Sequence, residues 1–427
     1  MNEQLREEAQ GKDISLLELI LRKIRDLEQK EGVQRTLFAA CPNSLAAIRS
    51  AVRSAKRCNA PIKFAATLNQ VDTDGGYTGL SQEELVKTVR QEARNINYNG
   101  PVIVAIDHGG PWLKDLHKKE KWSYQETMKA VKHSFEKAID AGYDMIHVDP
   151  TIDIHMAPNQ TIDIDVVVER TVDLIEHAER YRKENQYPRI AYEVGTEEVH
   201  GGLADVGVFN HFMEQLKNGL KRKKIDVWPV FVVGKVGTDL HTTQFDPEMA
   251  RTLTEISWSY GSVIKGHYTD NVKNPQDYPA SGMGAANIGP EFTEREYEGL
   301  MEMVSLEDRY HSDGWVPKRS GMKEVLWNAV IKSERWKKWL QPNEHEDDFY
   351  SNAPERQEWF IKTGCRYIWQ TPEVVAARGQ LFSNLFNIGI DPDAILDAHI
   401  ENAMDKYFYR FNLINLNDPL LNSEEPY

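Results

Sequence analysis

PVIVAIDH, residues 101–108, is the stretch of sequence that most clearly indicates the fold. An unbroken apolar run that ends in Asp107 and His108 is typical of a buried parallel strand. Similar short runs, mostly followed by amphipathic helical stretches, recur from about residue 36 to 290 and predict a (β/α)8 barrel. An open doubly wound sheet is the alternative, but no G-x-G-x-x-G follows the first run. The predicted strands are 36–41, 62–69, 101–108, 145–151, 189–195, 227–234, 262–268 and 283–289.

The sequence on either side of these repeats is predicted to be helical. Apolar residues spaced by three and four indicate a helix at about 15–30, and aromatic-rich helical segments follow residue 293. The acidic stretch 341–355 is interpreted as a solvated loop. The predicted organisation is therefore an N-terminal helical segment (1–35), a catalytic barrel (36–300) and a helical C-terminal extension (301–427).

The composition limits the classes of partner. Lys and Arg number 51 against 66 Asp and Glu, and a net charge of −15 repels nucleic acid and anionic lipid. No apolar run approaches the roughly 20 residues that span a bilayer, and the start has no signal-like apolar segment. We expect a cytoplasmic protein that acts on a small molecule. Its three cysteines lack a C-x-x-C spacing, so neither a disulfide framework nor a thiolate zinc site is expected.

Ionisable side chains stand at the predicted carboxyl ends of the strands, where barrels of this kind place their active sites. Because burying unpaired charge costs several kcal/mol, we interpret these residues as ligands of one divalent cation. Zinc suits imidazole nitrogens, and manganese suits a site richer in oxygen. A lone histidine at a strand end is more often a hydrogen-bonded polar residue. Three successive positions favour a metal site, and the predicted ligands are His108, His241, His267 and Glu197.

Two further groups of residues are assigned from the sequence. Asp149 is favoured for a catalytic role, as is Glu197, and His147 is placed behind the ligands. The loop 69–79 is rich in side chains that can bond sugar hydroxyls, although its Asn and Asp could equally bond the local backbone. The predicted substrate-binding residues are Asn69, Gln70, Tyr77, Thr269, Asp270 and Asn287.

Several motifs occur together in an order that resembles one family. They are Asn69-Gln70-Val71 through Gly79, Asp107-His108-x-Gly110-Pro111, Ile146-His147-x-Asp149, Gly195-Thr196-Glu197, His267-x-Thr269-Asp270, Trp336-Lys337-Lys338 and Phe360-x-x-Thr363-Gly364. In combination they resemble the Z-type subunit family of tagatose-bisphosphate aldolase, which is related to the class II zinc-dependent ketose-bisphosphate aldolases. The resemblance implies Asp107 as the proton-transfer base and His108, His241 and His267 as metal ligands, with Glu197 near the metal.

The function expected from these residues and this resemblance is metal-dependent retro-aldol chemistry on a ketose or ketose phosphate. It would end in aldol cleavage or in C4 epimerisation. Tyr268-Thr269-Asp270 follows His267 where class II aldolases have a glycine- and serine-rich phosphate loop, which puts a phosphorylated substrate in doubt. Two alternatives stay open: a noncatalytic subunit that stabilises a partner aldolase, and a metal-dependent sugar isomerase. A homo-oligomer or an aldolase partner subunit is expected.

Overall fold

The computed structural model describes residues 3–157, 160, 162–195 and 203–422, and within them eight parallel strands close into a barrel. The strands are β1 (Leu37–Ala40), β2 (Ile62–Thr67), β3 (Val102–Gly109), β4 (Met145–Val148), β5 (Ala191–Gly195), β6 (Phe231–Val233), β7 (Val263–Gly266) and β8 (Ala285–Ile288). They pair in chain order, and β8 closes on β1 with Ala39 opposite Asn287. The predicted (β/α)8 barrel is confirmed.

Helices cover the outside of the barrel and form the C-terminal region. Serine side chains cap several of them. The hydroxyls of Ser81 and Ser123 each accept the backbone N–H of the glutamate three residues later, and the carboxylate of that glutamate accepts the backbone N–H of the serine. The described helices are α1 (Glu3–Gly11), α2 (Leu16–Glu31), α3 (Leu45–Cys58), α4 (Gln82–Asn95), α5 (Asp115–Lys119), α6 (Tyr124–Ala141), α7 (Ile164–Glu184), α8 (Val206–Lys223), α9 (Pro247–Ser259), α10 (Asp277–Ala280), α11 (Pro290–Ser312), α12 (Met322–Ser333), α13 (Pro354–Gly364), α14 (Pro372–Asn387), α15 (Pro392–Arg410) and α16 (Asn417–Asn422).

The helical extension packs directly on the barrel. Helix α11 continues through residue 300, the predicted boundary, and α15 packs against both α11 and α3. The Phe408 ring of α15 meets the Phe38 ring of β1 edge to face at 5.0 Å between centroids, and both residues are fully buried. Asp397 of α15 accepts hydrogen bonds from Arg49 and Arg53 of α3. The apolar layer around the barrel is therefore completed by the last long helix of the chain.

None of the helices in the described part of the chain is long and apolar enough to span a membrane.

Candidate active site

Three histidine rings meet at the carboxyl ends of β3, β4 and β7. The ring centroids of His108 and His267 are 4.6 Å apart, and His147 lies 5.0 Å from His108 and 5.4 Å from His267. A bulge in β3 positions His108: its register with β4 shifts between Ile106 and Gly109, and His108 has a positive φ of 50°. The His108 backbone N–H donates to Nδ1 of His147 at 3.1 Å, which fixes the two residues together.

Two buried carboxylates lie among these rings. Nδ1 of His147 is 3.4 Å from both Asp107 Oδ1 and Glu193 Oε1. Nε2 of His267 is 3.1 Å from Glu193 Oε1 and 3.6 Å from Asp107 Oδ1. Ligand atoms of these four residues all lie within 4.8 Å of one another, as do those of His108, His147 and Asp149. Imidazole nitrogens combined with carboxylate oxygens are the donors that zinc and manganese accept.

Hydrogen bonding within the cluster leaves ring nitrogens available to a cation. His108 donates from Nδ1 to Asp149 Oδ2 at 2.6 Å, so its Nε2 is left for a ligand, as in many metal sites where a carboxylate orients the histidine. Nε2 of His147 and Nδ1 of His267 are buried and have no hydrogen-bond partner within the described residues. Buried polar groups are seldom left unpaired, so each ring offers one nitrogen to a ligand such as a divalent cation. The other nitrogen, Nδ1 of His147 or Nε2 of His267, approaches Glu193.

A lysine ammonium group already lies in the same cluster. Lys265 is fully buried, and its Nζ donates to both carboxylate oxygens of Glu193 at 2.7 Å. The same Nζ lies 3.3 Å from Nε2 of His267 and 3.8 Å from Oδ1 of Asp107. Burial and the neighbouring Lys265 lower the pKa of Lys63, which stands beside it, to about 7. Lys265 therefore neutralises one buried carboxylate, and a metal ion would share the cluster with it.

The two histidines that line the mouth titrate in opposite directions. Burial lowers the pKa of His108, but the carboxylates of Asp107 and Asp149 outweigh it and raise the value to about 9. Burial lowers the pKa of His267 to about 4, and the charge of Lys265 acts in the same direction. Burial alone would raise the pKa of Asp107, yet the positive charges of His108 and Lys265 hold it well below its usual range. Asp107 is therefore ionised and able to accept a proton.

A pocket of about 300 Å³ opens over Asp107, His108 and His267. This volume is at the lower end of the roughly 300–1,000 Å³ found for small-molecule sites, which suits one compact ligand. The wall is built from strand ends, from the loop after β2 and from the helical extension. Its further lining residues are Cys41, Asn43, Thr67, Leu68, Asn69, Gln70, Tyr77, Leu113, Lys118, Ile152, Tyr268, Asp270, Asn287, Gly289, Pro290, Arg366 and Tyr367.

Asn287 and Thr269 carry buried polar atoms that have no hydrogen-bond partner among the described residues. Asn287 lines the pocket with 4% of its surface exposed, and neither its amide nitrogen nor its amide oxygen has a partner among the described residues. The hydroxyl of Thr269 is buried without a described partner, although this residue does not line the pocket. Asn287 can therefore donate to one ligand hydroxyl and accept from another.

The loop after β2 lines the pocket with side chains that are already hydrogen-bonded. Gln70 and Tyr77 both donate to the amide oxygen of Asn43, at 2.6 Å and 3.0 Å. Asn69 donates to the carbonyl of Leu113 and accepts the N–H of Asp115. These contacts hold the loop against the barrel mouth. The three residues predicted to bind substrate, Asn69, Gln70 and Tyr77, form one wall of the pocket.

Asp270 occupies the N-terminus of the helix that follows β8. One carboxylate oxygen accepts the backbone N–H groups of Gly289 and Glu291, both at 2.8 Å. Helix N-termini attract anions, and barrels frequently bind phosphate at the loops after strands seven and eight. In this chain that position holds the protein's own carboxylate.

One predicted metal ligand, His241, is not brought to the three rings. His241 lies exposed in the loop before α9, where its ring packs on Trp359 of α13 at 5.2 Å between centroids. Asp239 accepts the backbone N–H groups of His241 and Thr242, both at 2.6 Å, and this turn carries His241 into a separate groove with Arg356. Glu197 lies outside the described residues.

The structure adds two residues that the sequence analysis did not assign to the site, Glu193 and Lys265, and it brings His147, which was placed behind the ligands, among the rings. Strand alternation relates Lys265 and His147 to predicted residues, because residues two apart on a strand face the same side. Lys265 precedes His267 by two positions on β7, and both contact Glu193. His147 precedes Asp149 by two positions, and both contact His108. The alternation was therefore the available signal.

Comparison with known proteins gives a family and a fold. The profile of the family described as D-tagatose-1,6-bisphosphate aldolase subunit GatZ/KbaZ-like matches residues 21–411. A solved structure titled as a probable tagatose 6 phosphate kinase from Sinorhizobium meliloti 1021 superposes with a TM-score of 0.72 at 20% identity, covering 88% of this chain and 100% of that one. Fructose-bisphosphate aldolase (Fba) from Campylobacter jejuni superposes with a TM-score of 0.54 at 13% identity, covering 92% and 94%. At these identities the two structures show a shared fold.

Proposed function

The chain belongs to the family described as D-tagatose-1,6-bisphosphate aldolase subunit GatZ/KbaZ-like, and from this premise we propose that it catalyses metal-dependent retro-aldol chemistry on a ketose. The reaction ends in aldol cleavage or in C4 epimerisation. One observation carries the proposal: three histidine rings and two buried carboxylates converge beneath a pocket of about 300 Å³. The family's description supports the choice of a ketose and of aldol chemistry. The cluster supports it by offering groups that such a reaction would use.

His108, His147 and His267 are the residues that would hold the ion, with a carboxylate oxygen from Glu193. Zinc or manganese is the ion that fits these donors. A divalent cation bound there supplies Lewis acidity toward the ketose carbonyl and its neighbouring hydroxyl. Asp149 keeps the His108 ring oriented through the bond to Nδ1.

Asp107 is the group that moves the proton. It lines the pocket with 4% of its surface exposed and is ionised, so it accepts the proton of the C4 hydroxyl as the C3–C4 bond breaks. The electron pair of that bond moves toward the carbonyl half, and C4 becomes an aldehyde. Asn287 orients the hydroxyls with its amide group, which has no partner in the part of the chain that the structure describes. Release of the aldehyde gives cleavage, and recapture on its other face gives the C4 epimer.

The test uses the chain purified alone. Bound metal is measured by elemental analysis, and a panel of ketoses and ketose phosphates is followed for released aldehyde and for C4 epimerisation. We expect bound zinc or manganese and turnover of at least one sugar. His267→Ala should lose metal and turnover together, whereas Asp107→Asn should keep the metal and lose turnover. Absence of both metal and turnover in the unmodified chain refutes the proposal.

The family description supports a second candidate, since it names an aldolase subunit. In that case the chain would stabilise a separate catalytic subunit without turning over sugar itself. Adding the chain to a class II tagatose-bisphosphate aldolase and following the half-life of that enzyme's activity separates the candidates. Protection by wild type and by Asp107→Asn alike, with no turnover by the isolated chain, favours the stabilising role. A metal-dependent isomerase is distinguished by trapping, because it releases no aldehyde fragment.

A further inference from the structure

A second carboxylate, Asp270 in the loop after β7, lines the same pocket as Asp107 and is partly exposed there. Epimerisation by cleavage and recapture moves the C4 oxygen from one side of the carbon chain to the other. We propose that Asp270 is a second proton-transfer residue, which acts on the C4 oxygen on the side opposite Asp107. This inference rests on the proposed function, because it assigns the epimerisation branch of that reaction to a pair of residues.

The order of the strands places the two carboxylates across the barrel from each other. The eight strands close in chain order, so three strands separate β3 from β7 in either direction. Asp107 stands near the end of β3, and Asp270 follows the end of β7 by four residues. Both line one pocket of about 300 Å³. A compact sugar in this pocket can therefore meet one carboxyl group on each side.

The hydrogen bonds of Asp270 leave one of its oxygens available. Oδ1 accepts the backbone N–H groups of Gly289 and Glu291, both at 2.8 Å. No group within the described ranges donates a hydrogen bond to Oδ2. The two bonds to Oδ1 hold the carboxyl group in place, and Oδ2 can carry a proton to a ligand.

The wall beside Asp270 offers a binding group for sugar hydroxyls. The backbone N–H of Thr269 donates to the carbonyl of Asn287 at 3.1 Å, so Asn287 lies next to the loop that carries Asp270. Asn287 lines the pocket and is 4% exposed, and its amide atoms have no partner among the described residues. Because buried polar groups are seldom left unpaired, this amide indicates that a ligand hydroxyl is held close to Asp270.

The surroundings of Asp270 favour its protonated form near neutral pH. Burial raises the pKa of Asp270 to about 7; the charges of Glu291 and Glu294 add to this effect, and the N–H groups of Glu291 and Gly289 reduce it. An acid whose pKa lies near the working pH is an effective proton donor. The other described ionisable groups around Asp270 are Cys41, Asp239, His241, Tyr268, Tyr278, Arg356, Arg366 and Tyr407, with Arg295 and Lys406 behind Glu291.

The protons balance over one turnover. Asp107 accepts the proton of the C4 hydroxyl as the C3–C4 bond breaks and C4 becomes an aldehyde carbon. After the aldehyde turns, the electron pair at C3 forms the C3–C4 bond again on the other face, and the C4 oxygen takes the proton of Asp270. Asp107 then returns its proton to Asp270 through solvent water in the pocket. The cycle consumes no proton, electron or further reactant.

Steady-state kinetics of the full chain with zinc test the inference. The substrates are D-tagatose and its C4 epimer D-fructose, each as the free sugar and as the 6-phosphate. Asp270→Asn keeps an oxygen that can accept the same two N–H groups, so fold and bound metal should be unchanged. We expect kcat for epimerisation to fall about a hundredfold or more, while KM stays within about threefold. Asp270→Glu keeps a carboxyl group and should retain at least about tenfold more activity than Asp270→Asn.

The pH profile separates a catalytic role from a structural one. In wild type, kcat/KM should fall as the pH rises through about 7, because the ionised carboxylate has no proton to donate. The same decline is expected from either epimer, since the reaction exchanges no net proton and its equilibrium is independent of pH. The residual activity of Asp270→Asn should lack the decline. In metal-free protein, the infrared band of a protonated carboxyl group, seen as the difference between wild type and Asp270→Asn, should disappear over the same pH range.

Asp391→Asn is the matched control. Asp391 also accepts two backbone N–H groups at the start of a helix, α15, and is exposed, so this variant should keep the wild-type kcat. The inference is overturned if Asp270→Asn keeps kcat within about threefold, if its pH profile matches that of wild type, or if loss of metal accounts for its lower activity. If circular dichroism shows that neither Asp270 variant folds, a wild-type profile without a decline through about pH 7 overturns it.

The two proposals fail in different ways. A chain that releases aldehyde without forming the epimer, or that forms the epimer equally well without Asp270, refutes this inference alone. A chain with neither metal nor turnover refutes the proposed function as well.

Discussion

Replacing Lys265 by methionine tests the electrostatic design of the cluster most directly. The ammonium group donates to both oxygens of Glu193 at 2.7 Å, and both side chains are fully buried. Methionine fills a similar volume without charge, so Lys265→Met leaves the carboxylate of Glu193 buried without its cation. Removing one partner of a buried ion pair costs about 3–5 kcal/mol.

That cost can be converted into a thermal shift. The entropy of unfolding near 60 °C is about 2.1 cal/mol/K per residue, or about 0.9 kcal/mol/K for 427 residues. We therefore expect Lys265→Met to lower the thermal midpoint of metal-free protein by roughly 3–6 °C. Differential scanning calorimetry in the presence of a chelator measures the shift.

The double variant separates the pair from its surroundings. Glu193→Gln with Lys265→Met leaves two neutral groups, so its cost should fall well below the sum of the two single costs, by roughly 1–3 kcal/mol. Added zinc should raise the midpoint of Lys265→Met more than that of wild type, because the ion then compensates Glu193 and Asp107 without a competing ammonium group. Additive costs, or a midpoint lowered by less than 1 °C, would contradict the assignment of Lys265 as the internal counter-ion.

Three further predictions concern the ligands, the pH response and the extension. His147→Ala should reduce bound metal at least tenfold while His241→Ala leaves it unchanged; equal metal loss in the two variants, by elemental analysis, would contradict the arrangement of the rings. Burial lowers the pKa of His117 to about 4, so the native state binds fewer protons than the unfolded state between about pH 4 and 6.5, and stability falls as the pH falls through this window. His117→Gln should make the urea-derived free energy of unfolding less acid-sensitive by roughly 1–2 kcal/mol, and an unchanged slope would refute this. Phe408→Ala should cost about 3–5 kcal/mol and unfold barrel and extension in one calorimetric transition; two separate transitions would mean that they are independent domains.

The strands were predictable because burial on both faces leaves a clear sequence pattern. A parallel strand in a barrel reads as an apolar run, and the polar residue that ends it marks the barrel mouth. This reasoning located β3 and the residues Asp107 and His108 at its end. It also located His267 after β7. What it could not supply is the bulge that turns His108 toward His147, because the bulge depends on pairing with the neighbouring strand.

The loop after β6 shows why His241 was harder to place. Strand β6 has only three residues, and the segment that follows is directed by hydrogen bonds from Asp239 and by the Trp359 ring of α13. Trp359 lies more than 100 residues further along the chain. A contact between residues so far apart in sequence cannot be inferred from spacing along one strand. The position of His241 after β6 was therefore not enough to predict where its side chain lies.

Lys265 and Glu193 were not predicted as site residues for a different reason. Charged residues within an apolar run are usually assigned to the solvent side of a strand, whereas the interior of this barrel carries a network of opposite charges. Each charged residue of this network is stabilised by the others, so no single residue in the sequence indicates its role. The pairing becomes visible once β5 and β7 stand in the same barrel.

Because the extension contributes to the pocket, the barrel strands are synthesised before the pocket is complete. When all eight strands have been synthesised, Arg366 and Tyr367, which complete the pocket wall, have not yet been made. Nor has Tyr407, whose hydroxyl donates to the carbonyl of Thr269 beside His267. The nascent barrel therefore carries its charged interior before the groups that close over it have been made, and the pocket is complete only after Arg366, Tyr367 and Tyr407 have been synthesised.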